Sequence, residues 1–449
     1  MAVVCAILAT GVGPAPATAL TPPVIHPDAL IRSTPVAPPE ATEQRTLCAK
    51  PASAHSISSP GAAQAMMNLP QLWRSGRGAG QRVAVIDTGV TRNPRLPRVY
   101  GGGDYVSTGD GLSDCDLHGT LVAGIIAGSP SRYDSFSGVA PDASIISIRQ
   151  SSTTFAAKRK RDDDPNVGSG YGSVRTLARA VVRAVDLGAT VINISEVACA
   201  PAGSTLNDAP LGASVRYAYE HNVVVVVAAG NLTQHSACAT QNPTPGGDDP
   251  LGWKSVTMIA SPAWFAPHVL TVASVDAGTA TPSEFSLHGP WVSVAAPGTG
   301  VVSIDTTGRV VDAQRDAHGP VALRGTSFST AYVSGLVAVL RSAYPHLSAR
   351  AVMERIIRTA HAPGTGHDTE IGYGVVDPVA ALTAKLPVAA SPDRDAGHRI
   401  AAPDTPRAPD HRARDIALIT ITTAVALVVA VLALSLPHRR LRRLNPDEY

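Results

Sequence analysis

Charge is scarce and nearly balanced in this sequence. Asp, Glu, Lys and Arg make up 16% of its 449 residues, and 37 basic residues against 35 acidic ones leave a formal net charge of +2. Such a chain has no overall field that favours nucleic acid or marks an acidic partner, so we expect no nucleic-acid role. Hydrophobic residues make up 44%, which is enough to bury a large core and excludes a disordered chain.

Metal-ligand patterns are also missing. The sequence has only five cysteines, and no two of them stand in a Cys-x-x-Cys spacing, which would indicate a zinc or redox site. No carboxylate-rich loop has the spacing of a calcium site. The remaining candidates are scattered histidines without metal-ligand spacing, namely His221, His235, His268, His288, His318 and His361. We therefore predict no metal ion and no cofactor.

The N-terminal segment has the pattern of an export signal. Residues 2–13 are apolar, and residues 17–19 (Ala-Thr-Ala) have the small side chains that a signal peptidase requires. We predict a signal peptide over residues 1–19 and export of the remainder. No Lys or Arg precedes the apolar run, so two alternatives stay open: a true start farther upstream, or an apolar tail that is not a signal.

A second apolar segment lies near the C-terminus. Ile416–Leu436 contains no charged residue, and as an α-helix it is long enough to cross a hydrocarbon core of about 30 Å. We interpret it as a single transmembrane helix rather than a buried core helix, because it follows the polar, Pro-rich linker of residues 387–415. The tail of residues 437–449 would stay in the cytoplasm, since it carries His438, Arg439, Arg440, Arg442 and Arg443. The larger part of the chain would then lie outside the cytoplasm.

Four cysteines remain once Cys5 leaves with the signal peptide. An even number of cysteines in an oxidising compartment predicts two disulfides, with three possible pairings. The simplest pairing joins Cys48 to Cys115 and Cys199 to Cys238. Metal ligation is the alternative, and no spacing supports it.

The rest of the sequence divides into an arm and a domain. Residues 20–70 are rich in Pro and Ala and lack periodicity, which predicts an extended arm, either retained or removed as a pro-segment, rather than a packed element. Residues 71–386 alternate β-branched runs with helical stretches, as in an α/β domain with a mainly parallel β-sheet flanked by helices. We predict a helix at Val174–Leu187 and strands at Arg82–Ile86, Ser144–Ile148, Thr190–Ile194 and Val223–Val227.

Four separated motifs place reactive side chains at the ends of these elements. Asp87 ends a buried strand, and His118 opens a helix of small residues. Ser327 precedes an apolar helical stretch, so it stands at a helix N-terminus, where backbone N–H groups favour a developing anion. Asn231 follows a strand and offers an amide donor to the same kind of charge.

In the order Asp, His, Asn, Ser, these motifs closely resemble the subtilase family. The resemblance covers residues 71–386 and implies a subtilisin-like fold and a serine peptidase. It implies that Ser327 is the nucleophile, that His118 is its general base, and that Asp87 orients the imidazole. Asn231 would stabilise the oxyanion. One position departs from the family: Ala331 stands where subtilases usually have proline, and we expect the helix start to be held less tightly.

Two segments resemble the walls of a subtilase substrate cleft. The first is similar to the edge that pairs with an extended peptide, and it consists of Ser169, Gly170, Tyr171 and Gly172. On the opposite side, Ser195 follows a strand, but Glu196-Val197 stands where many subtilases have Leu-Gly. The resemblance therefore leaves the specificity pocket open.

A narrower resemblance is to the mycosins, the membrane-anchored subtilases of actinobacterial type VII secretion systems. It rests on Asp114–Thr120 (Asp-Cys-Asp-Leu-His-Gly-Thr), Asn193–Glu196 and Gly325–Phe328, with the paired cysteines, the arm and the membrane helix. It implies a partner, the type VII membrane complex, and a substrate class, exported proteins. The alternative is a structural component of that complex with dispensable proteolysis; the full set of catalytic side chains favours an endopeptidase.

Overall fold

The structure, a computed structural model, describes residues 20–32, 35–53, 60–159, 170–233, 238–247, 249, 251–386 and 412–441. The expected signal peptide, most of the expected linker and the end of the basic tail lie outside the described residues, and so does Ser169. The chain divides into two units, residues 1–386 and residues 387–449. Each unit is described by itself.

Helices and strands alternate along the first unit. Its helices are α1 (Ala62–Met66), α2 (Leu69–Leu72), α3 (His118–Ala127), α4 (Val174–Asp186), α5 (Ala209–Glu220), α6 (Thr326–Ala343), α7 (Ala349–Thr359) and α8 (Pro378–Thr383). Its strands are β1 (Thr42–Gln44), β2 (Lys50–Ala52), β3 (Arg82–Asp87), β4 (Val99–Asp104), β5 (Ser144–Arg149), β6 (Phe155–Ala157), β7 (Val191–Ile194), β8 (Ala198–Pro201), β9 (Val224–Ala228), β10 (Met258–Ser261), β11 (Leu270–Val275), β12 (Val294–Pro297), β13 (Ser303–Ile304), β14 (Val310–Val311), β15 (Ala313–Asp316) and β16 (Gly319–Ala322). Short 3₁₀ helices lie at Pro27–Ala29 and Ala263–Phe265.

Seven strands form one parallel sheet in the order β12-β11-β9-β7-β3-β5-β4. The four strands predicted from the sequence are β9, β7, β3 and β5, which form the central block of this sheet, and each agrees within one residue at either end. The predicted α/β fold with a mainly parallel sheet is confirmed. Because all seven strands are parallel, their carboxyl ends meet at one edge of the sheet, where ligand sites of such folds lie.

Successive side chains of the central strands alternate between two cores, because strand residues point to opposite faces of a sheet. On β3, Val83 and Val85 belong to one core, and Ala84 and Ile86 belong to the other. The first core contains side chains of α3, α6 and α7, and the second contains side chains of α4 and α5. A sheet covered on both faces needs apolar residues throughout, which explains the continuous apolar runs of the sequence.

The N-terminal arm is more structured than the sequence predicts. β1 pairs antiparallel with β6, and β2 pairs antiparallel with β15, so the expectation of an arm without packed elements is wrong at these segments. Three-residue strands are too short to show periodicity, and their partners lie far away in sequence. Met67 and Leu69 are buried in the first core, so packed structure also begins before residue 71.

Two disulfides join the cysteine pairs of the simplest expected pairing. Cys48 and Cys115 have Cα atoms 4.5 Å apart, and Cys199 and Cys238 have Cα atoms 5.1 Å apart. The first disulfide fastens the arm to the loop before α3, where the Ala49 N–H also donates to the Cys115 carbonyl oxygen at 2.8 Å. The sequence separations are 67 and 39 residues. Each cross-link lowers the conformational entropy of the unfolded chain, which stabilises the folded state by about 4 kcal/mol.

The second unit contains one long helix, α9 (Arg412–Leu441). Its segment Ile416–Leu434 has a mean hydropathy of 2.7 and is long and apolar enough to cross a membrane. The transmembrane span expected from the sequence, Ile416–Leu436, lies within this helix.

Candidate active site

Asp87 lies at the carboxyl end of β3, and the residue is only 1% exposed. Its Oδ1 accepts a hydrogen bond from the Thr88 N–H at 2.7 Å. The chain then turns at Gly89, whose φ is 104°; a Cβ there would lie 2.2 Å from the Ser113 carbonyl oxygen. Only glycine fits this turn, and the close approach fixes the carboxylate against the loop before α3.

His118 connects this carboxylate to the serine of α6. Its Nδ1 lies 2.7 Å from Asp87 Oδ1, and its Nε2 lies 3.0 Å from Ser327 Oγ. A carboxylate can only accept, so Nδ1 of the neutral imidazole carries the proton, and Nε2 is left to accept one from the serine hydroxyl. The three side chains are therefore arranged in series as a nucleophile, a base and an orienting acid would be.

The imidazole is held by the start of its own helix. The Gly119 N–H donates to Thr88 Oγ1 at 2.9 Å, so α3 is bonded to the residue that follows Asp87. A Cβ at Gly119 would lie 2.1 Å from the Gly89 carbonyl oxygen, which shows how closely the two backbones approach. The ring of Phe328 lies 5.5 Å from the imidazole, centroid to centroid.

Asp114 is a buried carboxylate that supports this arrangement from behind. It accepts hydrogen bonds from Thr88 Oγ1 at 2.9 Å, from the Thr120 N–H at 2.8 Å and from Thr120 Oγ1 at 2.6 Å. Burial raises the pKa of Asp114 to about 6, although these donors oppose the rise. Sequence reasoning assigned no role to Asp114; its place in Asp114–Thr120 was the available signal.

Asp116 binds the loop before α3 to the neighbouring segment. It accepts hydrogen bonds from Ser152 Oγ at 2.5 Å, from the Thr153 N–H at 2.8 Å and from the Thr154 N–H at 3.0 Å. Ser152 in turn exchanges two backbone hydrogen bonds with Tyr171, at 2.7 and 2.9 Å. Asp116 thus links the loop before α3 to the predicted peptide-binding edge, a role that no sequence pattern indicated.

Ser327 is the second residue of α6 and is 5% exposed. Asn231 Oδ1 accepts from the Thr326 N–H at 2.9 Å and from Thr326 Oγ1 at 3.1 Å, which leaves the amide nitrogen to donate elsewhere. A Cβ at Gly325 would lie 3.1 Å from Ser327 Oγ and 3.5 Å from Asn231 Nδ2. The donor amide and the nucleophile therefore border the same small space, as oxyanion stabilisation requires.

The helix α6 runs without a break past position 331, where this chain has Ala instead of the family's usual proline. Ala331 is fully buried, and the helix continues from Thr326 to Ala343. The expected loosening of the helix start is therefore not visible in the path of the backbone.

The predicted substrate wall at Ser195 is bound to α6. Asn193 Nδ2 donates to Ser195 Oγ at 2.8 Å, and Asn193 Oδ1 accepts from Ser334 Oγ at 2.9 Å. The end of β7 is therefore fixed to the helix that carries Ser327. Glu196 follows Ser195, and burial raises the pKa of its carboxyl to about 7; Asp87 adds to this rise and His118 opposes it.

The predicted site residues that the structure describes thus come from six separate parts of the sequence, namely Asp87, His118, Gly170–Gly172, Ser195, Asn231 and Ser327. Burial of the His118 imidazole opposes its protonation, but Asp87, aided by Glu196 and Asp114, outweighs burial and raises the pKa of His118 to about 9. The imidazole must therefore lose a proton before it can accept one from Ser327. Such a site can form and hydrolyse an acyl-enzyme without a metal ion.

Comparisons with known proteins identify the family. A profile of the Subtilase family matches residues 78–374. Mycosin-1 of Mycobacterium tuberculosis is 44% identical over 436 residues, which cover 95% of this chain and 96% of that protein.

Two solved structures are also similar. One is a serine protease, MycP1, described as an essential component of the type VII (ESX-1) secretion system; it is 44% identical with a TM-score of 0.76, over 81% of this chain and all of that one. The other is a chain of an intact ESX-5 inner membrane complex, 39% identical with a TM-score of 0.76, over 93% of this chain and all of that one. The chain therefore belongs to the subtilase family, within it to the mycosins, and is a subtilisin-like serine endopeptidase.

Proposed function

We propose that Asp87, His118 and Ser327 are the catalytic triad of this endopeptidase, and that it acts on exported proteins beside a type VII secretion complex. The observation that carries the triad is the unbroken series of contacts, with Asp87 Oδ1 2.7 Å from His118 Nδ1 and His118 Nε2 3.0 Å from Ser327 Oγ. A serine hydroxyl is a poor nucleophile until a positioned base takes its proton.

In the first half of the reaction, Ser327 Oγ attacks the carbonyl carbon of the scissile peptide bond while its proton passes to His118 Nε2. The negative charge that develops on the carbonyl oxygen is stabilised by Asn231 Nδ2 and by the Ser327 N–H. The C–N bond then breaks, and His118 gives its proton to the leaving amine. Asp87 stabilises the imidazolium between these two transfers.

In the second half, water replaces the amine. The water oxygen attacks the acyl carbon while His118 takes a proton from the water. His118 then returns that proton to Ser327 Oγ as the ester bond breaks. The carboxylic acid product leaves, and the free enzyme is restored.

The substrate would bind as an extended strand against Gly170, Tyr171 and Gly172. Both backbone polar groups of Tyr171 already bond to Ser152. Tyr171 and Ser152 form an isolated antiparallel bridge. Because backbone groups of successive extended residues point to opposite sides, we expect those of Gly170 and Gly172 to face the other edge, where a peptide can pair by strand addition. Ser195 would form the opposite wall.

Membrane attachment and the partner rest on other observations. The helix α9 contains a segment that can span a membrane, and the basic residues after it favour a cytoplasmic tail with the peptidase domain outside. Association with a type VII membrane complex is supported by the similar chain in the ESX-5 inner membrane complex. The Cys48–Cys115 disulfide supports retention of the N-terminal arm in the mature protein.

Labelling with a fluorophosphonate probe tests the triad. The full-length protein in detergent should be labelled, and Ser327→Ala should remove the label because, in the part of the chain that the structure describes, the serine hydroxyl bonded to His118 Nε2 is that of Ser327. Ser329→Ala is the matched control, because Ser329 is buried on the same helix two residues further on, and it should label like the wild type. Absence of label from the wild-type protein would contradict an activated Ser327.

The pH dependence of this labelling follows from the raised pKa of His118. Only the neutral imidazole can accept a proton, so the labelling rate should rise with pH and reach its plateau above about pH 9. The rate of probe hydrolysis in buffer, measured at each pH, serves as the control. A plateau already reached at pH 7.5 would show that His118 retains an ordinary pKa.

Proteolysis and scaffolding can be separated in cells. The structural alternative is favoured by the similar chain built into an ESX-5 inner membrane complex. In a strain that lacks this chain, Ser327→Ala should accumulate in the membrane like the wild type but should abolish cleaved termini among exported proteins, as measured by mass spectrometry of the culture filtrate. An unchanged set of cleaved termini together with normal secretion would favour the scaffold.

A further inference from the structure

Glu196 lies between the substrate wall and the triad. It directly follows Ser195, at the carboxyl end of β7, and it is close enough to Asp87, His118 and Asp116 to interact electrostatically with all three. The mechanism above uses no carboxyl group at this position.

One oxygen of the Glu196 carboxyl is buried without a partner. Among the described residues, nothing forms a hydrogen bond to Oε2, and no Lys or Arg forms an ion pair with the side chain. Burial of a carboxyl oxygen without a hydrogen bond is costly, although the Ser151 side chain and His118 both favour the ionised form of Glu196. The residue as a whole is only partly buried, so its other side remains open to a ligand.

The net charge around Glu196 depends on the protonation of His118. When His118 is protonated, its positive charge faces both Glu196 and Asp87. When His118 becomes neutral, as catalysis requires, the same space holds two carboxylates and no cation among these three residues. A positive charge supplied from outside would be stabilised there, and the local dielectric would strengthen the attraction.

We propose that Glu196 is a specificity-determining residue, which receives the cationic side chain of a Lys or Arg in the bound substrate. The inference rests on the proposed function, because it assumes that the peptide lies along the Ser195 wall. An extended peptide on this wall passes the Glu196 carboxyl. A Lys or Arg side chain is long enough to bring its charged group to this carboxyl while the peptide backbone stays on the wall. A substrate with only apolar side chains would leave the carboxyl without a counter-charge.

The test uses the full-length protein in detergent and peptidyl diphenyl phosphonates, which react with an active-site serine. The inhibitors are prepared in pairs that carry either Lys or norleucine at one of the positions P1 to P4, because norleucine has the Lys side chain without its amine. The second-order rate constant of inactivation is measured for each pair. We expect a preference of about tenfold or more for Lys at one position, and its loss in Glu196→Gln.

Two variants serve as controls. Glu220→Gln removes an exposed carboxylate of α5 that pairs with Arg216, and it should keep the wild-type preference. Glu196→Asp retains the charge on a shorter side chain and should keep part of the preference. Fluorophosphonate labelling of each variant shows that Ser327 remains reactive.

The wild-type protein gives a second measurement if Glu196→Gln does not fold. The ratio of the Lys rate to the norleucine rate cancels the protonation of His118, since both inhibitors need the same base. This ratio should fall as the pH is lowered through about 7, where Glu196 becomes neutral. Asp87 and Asp116, the other carboxylates beside Glu196, are present both in Glu196→Gln and in the wild-type protein.

Equal rates for Lys and norleucine at all four positions, including no inactivation by either, would overturn the acidic subsite. A Lys preference that persists in Glu196→Gln would assign it to another residue and would also overturn the proposal. Failure of the proposed function is distinguishable, because the wild-type protein would then not react with the fluorophosphonate either.

Discussion

The hydrogen bond between the Asp87 carboxylate and His118 Nδ1 is the contact on which the rest of the site depends. A carboxylate that is 1% exposed is tolerated only where donors and positive charge compensate for its lost hydration. The Thr88 N–H supplies one donor and the imidazole supplies another. The contact that makes this burial possible also fixes the orientation of the His118 imidazole, so in the proposed mechanism structural and catalytic requirements coincide at one atom pair.

The loop before α3 explains why this contact can be held rigidly. Asp114 bonds to the turn that follows Asp87, Asp116 bonds to the segment beside the proposed peptide-binding edge, and Cys115 is tied to Cys48 of the arm. Three consecutive side chains thus anchor the loop to three different parts of the molecule. The arm is in this sense part of the support of His118, although it contributes no reacting atom.

Local patterns made much of this predictable. The central strands are apolar throughout because both faces are covered. Asp87 and Asn231 stand where such a strand ends, and His118 and Ser327 stand where a helix begins. What the sequence did not predict depends on contacts between distant segments. The arm strands β1 and β2 have only three residues each, and the role of Asp116 depends on donors at residues 152–154 that no spacing rule connects with it. The sequence did not predict the environment of Glu196 either, because the pattern of a carboxylate after a strand is the same whether water or other carboxylates surround it.

The central claim is that Asp87, His118 and Ser327 work as one relay. The most direct measurement compares kcat/KM for peptide hydrolysis by His118→Ala, Ser327→Ala and the triple variant with Asp87→Ala added. A single relay predicts that each of the two single changes costs about as much as the triple change, on the order of 10⁴-fold or more, because the remaining members have nothing to act on. A triple variant whose loss reaches the product of the His118→Ala and Ser327→Ala losses would contradict the account.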